Sequence, residues 1–328
     1  MKFLIIRFSS IGDIVLTSPV VRCLKKHFPD SEIHFLTKVQ FHQLLVANPN
    51  INKIHLLEDN LSTTIESLKP EKYDAVIDLH KNIRSKKVIK ALGILSYSFD
   101  KLNLDKWLVV NLKINRLPRK SIVDRYFEGL ELLNIKNDGE GLDYYINEKE
   151  VYENVMEIGH AHNYIAFAIG ATYFTKRLPE NKIAALCEKI NDKIILLGGK
   201  TEEAAGERLN SQFPTKIINF CGKINLNESA WLVKNAKKVI SHDTGIMHIA
   251  AAFKKPIASI WGNTIPEFGM YPYFGKKAKE AEEKSRVFEV QNLYCRPCSK
   301  LGHKQCPEGH FRCMNDINLD EVAAWVNG

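Results

Sequence analysis

Asp243, Thr244 and Gly245 stand between a strand-like segment and an apolar helical segment, in the sequence KVISHDTGIMHIAAAF. Free backbone N–H groups at a helix N-terminus, a glycine without a side chain and a hydroxyl group together form a site for an anion. A diphosphate fits such a site, and His248 falls in the first helical turn, where its side chain can reach the same anion. The alternative is that Asp243 or Thr244 only caps the helix.

A second polar loop, GATYFTKRLPE (170–180), follows another strand-like segment. Thr172 offers a hydroxyl group, and Lys176 and Arg177 offer the positive charge that a leaving diphosphate requires; the alternative is a solvated basic loop. Neither of these loops, nor the loop after the first strand, contains GxGxxG, which counts against a dinucleotide-dependent oxidoreductase. The absence of GxxxxGK[ST] likewise counts against a P-loop nucleotidase.

Asp13 is the acidic residue of a third loop, SSIGD (9–13). This loop lies between the apolar segment KFLIIRF and a second apolar segment that has the pattern of a helix. Because an acidic side chain is favourable near a helix N-terminus, the local sequence by itself favours a helix cap at this position.

These loops are held by strands and helices that alternate along the chain. The strand-like segments of the first half are 2–8, 32–37, 53–57, 75–79 and 94–99. Helical segments lie between them, at 17–27, 41–47, 61–68 and 84–91, and a further amphipathic helix spans 122–133. After a polar segment, 147–163, the alternation restarts and continues to a short last helix at 319–326. The pattern predicts two doubly wound α/β domains with a cleft between them, where ligands bind at the carboxyl ends of the strands.

Length and charge agree with this organisation. The 328 residues suffice for two domains, and a net charge of +8 suits anionic partners, although ordinary surface charge explains it equally well. No apolar segment approaches the length of a membrane span, and the N-terminus lacks the features of a signal peptide. Seven cysteines are too few for a disulfide scaffold in so long a chain. We therefore expect a cytoplasmic protein.

Four motifs together resemble the heptosyltransferase-type glycosyltransferases of family 9. They are SSIGDIVLTSP, DLHKNIRS, TKRLPE and DTGIMHIAAA, in the order and spacing of that family over nearly the whole chain. The resemblance implies a GT-B architecture, in which two Rossmann-like domains face a cleft. Residues 1–155 would bind the acceptor and residues 156–328 the nucleotide-sugar, and the final helix would return to pack on the first domain.

The resemblance also implies a reaction. The family transfers heptose, or a related sugar, with inversion and without a metal or other cofactor. The donor would be ADP-heptose and the acceptor an anionic lipopolysaccharide core or lipid-linked sugar, reached at the inner face of the cytoplasmic membrane; no nucleic acid is implied. Two alternatives remain: the same fold with another nucleotide-hexose donor, and a catalytically silent sugar-nucleotide-binding protein.

Site residues follow by matching the motifs. Asp13 would be the base that deprotonates the acceptor, with a pKa raised by partial burial. The residues expected at the acceptor are Ser10, Gly12, Lys81 and Arg84. The residues expected at the donor are Thr172, Lys176, Glu202, Asp243, Thr244, Gly245 and His248. Glu202 follows a Rossmann-like strand and would accept ribose hydroxyls; the equal alternative is a solvated glutamate at a helix start. Asp243 would hold N–H groups or a sugar hydroxyl rather than the diphosphate itself.

One segment departs from the better-known family pattern. CRPCSKLGHKQCPEGHFRC (295–313) brings together Cys295, Cys298, Cys306 and Cys313, which are sufficient in number and type for a structural zinc ion. Their spacing is not that of a standard zinc finger, and reduced, packed thiols are the favoured alternative.

Overall fold

The computed structural model describes residues 1–328 and contains two parallel β-sheets, one in each half of the chain. The strands of the first sheet are β1 (Lys2–Ile6), β2 (Glu32–Thr37), β3 (Lys53–Leu56), β4 (Ala75–Asp78) and β5 (Leu95–Ser98). Their order is β3-β2-β1-β4-β5, with every pair parallel. Because helices cover both faces, the central strand β1 has a continuous apolar run from Phe3 to Ile6 rather than an alternation with polar residues.

The first domain packs helices on both faces of this sheet. They are α1 (Ile11–Val15), α2 (Ser18–His27), α3 (Leu61–Leu68), α4 (Ile83–Leu92), α5 (Asn103–Leu112) and α6 (Ile122–Glu128). One face, which includes Phe3 and Ile5, packs with α2 and α6. The other face, which includes Leu4 and Ile6, packs with α3 and α4. The alternation of side chains along β1 therefore serves two cores.

The second domain repeats this architecture. Its strands are β6 (Tyr164–Ala168), β7 (Lys193–Leu197), β8 (Ile217–Asn219), β9 (Lys238–His242), β10 (Ile257–Trp261) and β11 (Arg286–Glu289), in the order β11-β10-β9-β6-β7-β8. Its helices are α7 (Glu153–His160), α8 (Glu180–Lys189), α9 (Glu203–Gln212), α10 (Leu226–Asn235), α11 (Gly245–Ala252), α12 (Lys279–Glu283), α13 (Arg312–Asn315) and α14 (Leu319–Asn327). The prediction of two doubly wound domains is confirmed.

Several elements differ from the sequence-based expectation. The helix expected at 41–47 is a short 3₁₀ helix, Val39–Leu44, and the long helix expected at 122–133 ends at Gly129. A Cβ atom on Gly129 would lie 2.5 Å from the Ser98 carbonyl oxygen, so this helix end packs closely against the strand end. The helices α5 and α7 and the strand β11 were not predicted.

The expected boundary at residue 155 falls inside α7, which belongs to the second domain. A Cβ atom on Gly159 would lie 2.3 Å from the Trp231 indole nitrogen, so α7 and α10 are in close contact. The same indole N–H donates to the Met156 carbonyl at 3.4 Å. The polar segment that appeared to be a linker therefore contains the first helix of the second domain.

The last helix, α14, also belongs to the second domain. Its apolar residues Val322 and Val326 are buried in the same cluster as Ile183 and Leu186 of α8. Asn327 fixes the end of the helix, because its side-chain amide donates to the Lys189 carbonyl at 2.9 Å. The expectation that this helix returns to the first domain is wrong: its apolar face is fully occupied by α8 and the adjacent sheet.

The two domains meet where the N-termini of α1 and α11 approach each other. A Cβ atom on Gly245 would lie 2.4 Å from Cγ2 of Ile11, and one on Gly12 would lie 2.5 Å from the His248 ring. Two glycines thus permit a contact that side chains would prevent. This contact places the Asp13 loop directly opposite the loop at residues 243–245. No helix of either domain has the length and apolar character to cross a membrane.

Candidate active site

A cleft of about 770 Å³ lies between the carboxyl ends of the two sheets. The first domain lines it with Arg7, Ser10, Gly12, Asp13, His80, Phe99, Lys101, Lys106 and Tyr126. The second domain lines it with Thr172, Lys176, Asp243, Thr244, Gly245, His248 and Lys300. The three loops singled out in the sequence therefore meet in one cavity, as the rule for open α/β sheets predicts.

Asp13 is held by its own loop. Its Oδ2 accepts hydrogen bonds from the Ser10 backbone N–H at 3.1 Å and from the Ser10 hydroxyl at 2.7 Å, and its Oδ1 pairs with the Arg7 guanidinium. Arg7 is itself fixed, because it donates to the Ser9 and Leu79 carbonyls. The hydrogen bond from the Ser10 backbone N–H to the Asp13 carboxylate is part of a capping box at the start of α1. Asp13 therefore both caps α1 and faces the cleft.

The protonation state of Asp13 differs from the sequence-based expectation. Burial acts to raise the pKa of this carboxyl, but the Arg7 charge and the hydrogen bonds from Ser10 outweigh it and hold the pKa below its ordinary value. The expected raised pKa is therefore wrong. At neutral pH Asp13 is a carboxylate, able to accept a proton without first losing one.

Lys176 and Asp243 form an ion pair on the opposite wall. The Lys176 ammonium is 2.5 Å from Oδ2 of Asp243, and the same oxygen accepts a hydrogen bond from the Thr264 hydroxyl at 2.8 Å. The expected partners of Asp243 were N–H groups or a sugar hydroxyl, whereas its partners are an ammonium and a threonine. This pairing balances a carboxylate charge that would otherwise repel a diphosphate.

The turn that carries Lys176 rests on the cysteine-rich segment. The Thr175 hydroxyl accepts a hydrogen bond from the His303 backbone N–H at 2.8 Å, and a Cβ atom on Gly302 would lie 2.4 Å from Cβ of Tyr173. Segment 295–313 therefore packs beneath the loop that presents the lysine to the cleft.

The N-terminus of α11 opens into the same space. Thr244 is its N-cap, and the Thr244 hydroxyl lies 3.1 Å from that of Ser241. The first N–H groups of the helix have no partners within it and can bind an anion. His248 is 2% exposed, and burial lowers its pKa to about 4. It is therefore a neutral imidazole beside Gly12 and adds no positive charge to this site.

Glu202 does not line the cleft. It is buried under the loop that begins at Gly170, where its carboxylate accepts the Gly199 N–H at 2.9 Å and pairs with Arg177 at 2.9 Å. Both carboxylate oxygens of Glu202 are thus already engaged by partners that fix the turn after β7. The predicted contact between Glu202 and a ribose stays a prediction.

Lys81 and Arg84 also lie outside the cavity lining. The Lys81 ammonium donates to the Phe99 carbonyl at 2.6 Å, so its charge is used to hold the chain after β5. Arg84 is exposed, with its guanidinium 5.8 Å from the centre of the Phe8 ring. Neither residue is placed by the fold at the position expected for acceptor binding.

Other cations line the cleft instead: Arg7, Lys101 and Lys106 of the first domain and Lys300 of the second. Burial lowers the pKa of Lys106 to about 8, so its ammonium is protonated at neutral pH but only partly hydrated. Lys106 was missed because the helix α5 was missed, and Lys101 lies just before that helix. A sequence signal did exist for Arg7, since it is the one charged residue inside the apolar segment FLIIRF.

The four C-terminal cysteines are not arranged as a ligand set. No three of their sulfur atoms lie within 4.8 Å of one another. Burial raises the pKa of the Cys298 thiol to about 11 and that of Cys313 to about 12, which favours neutral thiols. The structural zinc site expected from Cys295, Cys298, Cys306 and Cys313 and the alternative of packed thiols both stay predictions.

The chain is similar to known glycosyltransferases over most of its length. Residues 62–312 match the model of glycosyltransferase family 9 (heptosyltransferase). Lipopolysaccharide heptosyltransferase 1 of Campylobacter coli is 29% identical over 290 residues, which cover 80% of this chain and 84% of that protein. Escherichia coli ADP-heptose LPS heptosyltransferase II has a TM-score of 0.72 at 20% identity, with 100% of this chain and 98% of that one covered. The E. coli heptosyltransferase WaaC with ADP has a TM-score of 0.71 at 21% identity, with 99% of each chain covered.

These similarities confirm the resemblance that the four motifs indicated. The family model covers well over half of the chain, and the solved structures share its two-domain architecture from end to end. The protein thus belongs to glycosyltransferase family 9, the heptosyltransferase family, and is a glycosyltransferase of GT-B fold.

Proposed function

We propose that the protein transfers heptose from ADP-heptose to an anionic acceptor of the lipopolysaccharide core, with inversion and with Asp13 as the base. The observation that carries this proposal is the position of Asp13 opposite the anion site of α11. In a nucleotide-sugar the anomeric carbon is bonded to the distal phosphate, so the base and the diphosphate site must be neighbours. The contact of Gly12 with Gly245 and His248 makes them neighbours.

Charge on the leaving group is balanced by the second domain. When the acceptor hydroxyl attacks the anomeric carbon, the bond to the diphosphate breaks, ADP leaves, and the hydroxyl proton passes to Asp13. The Lys176 ammonium and the N–H groups at the start of α11 are placed to receive the developing negative charge. These groups belong to the chain itself, which supports a transfer that requires no metal ion.

A single available carboxylate supports inversion. A retaining enzyme that uses a covalent intermediate requires a nucleophile as well as an acid or base. Of the two aspartates in the cleft, Asp243 is engaged by Lys176 and Thr264, whereas Asp13 keeps an exposed edge, with 23% of its side chain accessible. One base and direct displacement at the anomeric carbon are the simplest chemistry that this arrangement performs.

The basic lining of the cleft suits an anionic acceptor. Lys101, Lys106 and Lys300 line the cleft near the Asp13 loop. The ammonium of Lys106 is partly buried and therefore loses stabilisation by water. A phosphate or carboxylate group on the acceptor would replace that stabilisation. We therefore assign acceptor binding to these lysines rather than to Lys81 and Arg84.

The donor nucleotide is tested by thermal shift of the purified protein with ADP, UDP, GDP or CMP at equal concentrations. We expect ADP to raise the Tm most. WaaC shares this fold and its structure contains ADP, and the anion site at the start of α11 is present here. A ligand at 100 times its Kd adds about 2.7 kcal/mol, or a few degrees. A larger shift with UDP or GDP would overturn the ADP assignment and favour the nucleotide-hexose alternative.

The outer face of α5 supports peripheral contact with the inner face of the cytoplasmic membrane. Leu104 is 70% exposed and Trp107 is 53% exposed, while Lys106 on the same helix lines the cleft. The exposed cations that follow the helix are Lys113, Arg116, Arg119 and Lys120. Apolar side chains next to basic residues are typical of a surface that binds anionic bilayers. The acceptor, a lipid-linked sugar, would then enter the cleft from that surface.

Replacing Leu104 and Trp107 together by serine is expected to weaken binding to phosphatidylglycerol vesicles about tenfold, because the apolar area that enters the bilayer is lost. Co-sedimentation with vesicles measures this effect. Leu132→Ser is the matched control, since Leu132 is 89% exposed but lies outside α5. Equal sedimentation of the double variant and the control would show that α5 does not contribute to membrane binding.

A further inference from the structure

Two histidines, a carboxylate and a phenol meet at the end of the first sheet opposite the cleft. His34 lies on β2 and His55 on β3, while Glu71 and Tyr73 lie in the segment that leads into β4. His34, His55 and Tyr73 are buried, and the Glu71 side chain is 16% exposed. None of the four lines the cleft, so sugar transfer does not account for them.

Their donor atoms have the spacing of a metal coordination shell. Nδ1 of His34 is 3.2 Å from Nε2 of His55, and the Tyr73 hydroxyl oxygen is 3.0 Å from each of these nitrogens. One carboxylate oxygen of Glu71 lies 3.8 Å from Nδ1 of His34, and the other lies 3.9 Å from Nε2 of His55. In a tetrahedral zinc site with bonds of about 2.0–2.1 Å, neighbouring donor atoms are about 3.3 Å apart.

We propose that His34, His55 and Glu71 bind one Zn²⁺ ion, with the Tyr73 hydroxyl at the fourth corner. Two imidazoles and a carboxylate are a donor set that suits zinc. The other ring nitrogen of His34 lies 3.6 Å from the Glu32 carboxylate, the kind of outer partner that metal-binding histidines usually have.

Two lysines compete with the metal for Glu71. Lys53 pairs with one carboxylate oxygen, and Lys2 lies 3.3 Å from the other. The Lys53 side chain is 54% exposed, so its ammonium can turn into solvent when a dication replaces it. Removing this competitor is therefore expected to tighten zinc binding. A hydrogen-bonded cluster without a metal function would show no such response.

The position of the site indicates a structural role. It joins β2, β3 and the segment before β4 at the amino ends of the strands, whereas the substrates bind at the carboxyl ends. Zinc that binds only the folded chain raises its stability by mass action. Metal binding here is independent of the transfer reaction and leaves the transfer rate unchanged.

Zinc content of the untagged protein, loaded with Zn²⁺ and then desalted, tests the proposal. We expect about one zinc ion per chain in the wild type and in the control His27→Gln, whose histidine is exposed, and less than about 0.2 in His55→Gln. Replacement of zinc by Co²⁺ is expected to give a visible spectrum without a thiolate-to-cobalt charge-transfer band, which separates this site from the C-terminal cysteines.

A second variant keeps the test decisive if His55→Gln does not fold. Lys53→Met retains every donor atom and is expected to bind zinc about tenfold more tightly by competition titration. Wild-type protein with less than about 0.2 zinc per chain, zinc content unchanged in a folded His55→Gln, or a thiolate band in the cobalt spectrum would each overturn the proposal.

Discussion

Asp13→Asn is expected to lower kcat for heptosyl transfer by about 10²- to 10⁴-fold, because the amide has the shape of the carboxylate but cannot accept the acceptor proton. The proposed base is a carboxylate that is already ionised and is held by Ser10 and Arg7 at the contact between the two domains. Initial rates at saturating donor and acceptor measure the effect on the chemical step rather than on binding.

The control for Asp13→Asn is Asp30→Asn, an acid-to-amide change at an exposed position of the same domain. It is expected to keep wild-type activity. The Asp13 variant is expected to keep its thermal shift with ADP, because the proposed nucleotide site lies in the second domain. A kcat within about threefold of wild type would show that Asp13 is not the base and would favour a different base.

The pH dependence of the rate gives an independent test of the same assignment. The pKa of Asp13 is held below the ordinary pKa of an aspartate. The side chain therefore stays ionised as the pH falls and becomes protonated only at a pH below that ordinary pKa. The rate of the wild type is therefore expected to show no loss from protonation of Asp13 between about pH 8 and pH 5. A base with a raised pKa would instead give an acid limb near about pH 6.

Lys176→Met is expected to lower kcat/KM for the donor by about 10²- to 10³-fold, since it removes the ammonium that we propose faces the leaving diphosphate. The substitution also leaves Asp243, whose side chain is 9% exposed, without its cation. The bare carboxylate then repels the diphosphate. Steady-state kinetics with varied donor and saturating acceptor measure the loss.

The double variant Lys176→Met with Asp243→Asn separates these two causes. It removes both charges of the pair, so the loss that remains reports the missing neutralisation of the diphosphate alone. Lys200→Met is the control, because that lysine is 81% exposed and lies outside the cleft. If Lys176→Met matched Lys200→Met in kcat/KM, the charge of Lys176 would have no part in the reaction.

The loops that line the cleft could be recognised in the sequence for a physical reason. Strands buried on both faces are continuous apolar runs, so the points where Asp13, Lys176 and Asp243 follow them are visible in the sequence. Parallel strands then bring these loops to the same side of each sheet. Which side chains enter the cleft was predicted less well, because that depends on partners far apart in the chain. Lys81, for example, is drawn to a backbone carbonyl of Phe99.

Electrostatic and packing details were not readable from the sequence. The pKa of Asp13 depends on Arg7, whose side chain is aimed at it by two backbone carbonyls. The helix α5 exposes Leu104 and Trp107 and so lacks the apolar face that identifies a helix packed on a core. The last helix has such a face in Val322 and Val326, but its pattern does not say which domain will bury it.

The most direct test is the transfer reaction itself, followed by NMR with ADP-heptose and a phosphorylated lipopolysaccharide-core acceptor in the presence of a chelator. We predict that heptose is transferred at the same rate with and without the chelator. We also predict that the product has the anomeric configuration opposite to that of the donor, and that Asp13→Asn forms product at least about 10²-fold more slowly. A product with the configuration retained, or a rate that Asp13→Asn leaves unchanged, would contradict direct displacement with Asp13 as the base.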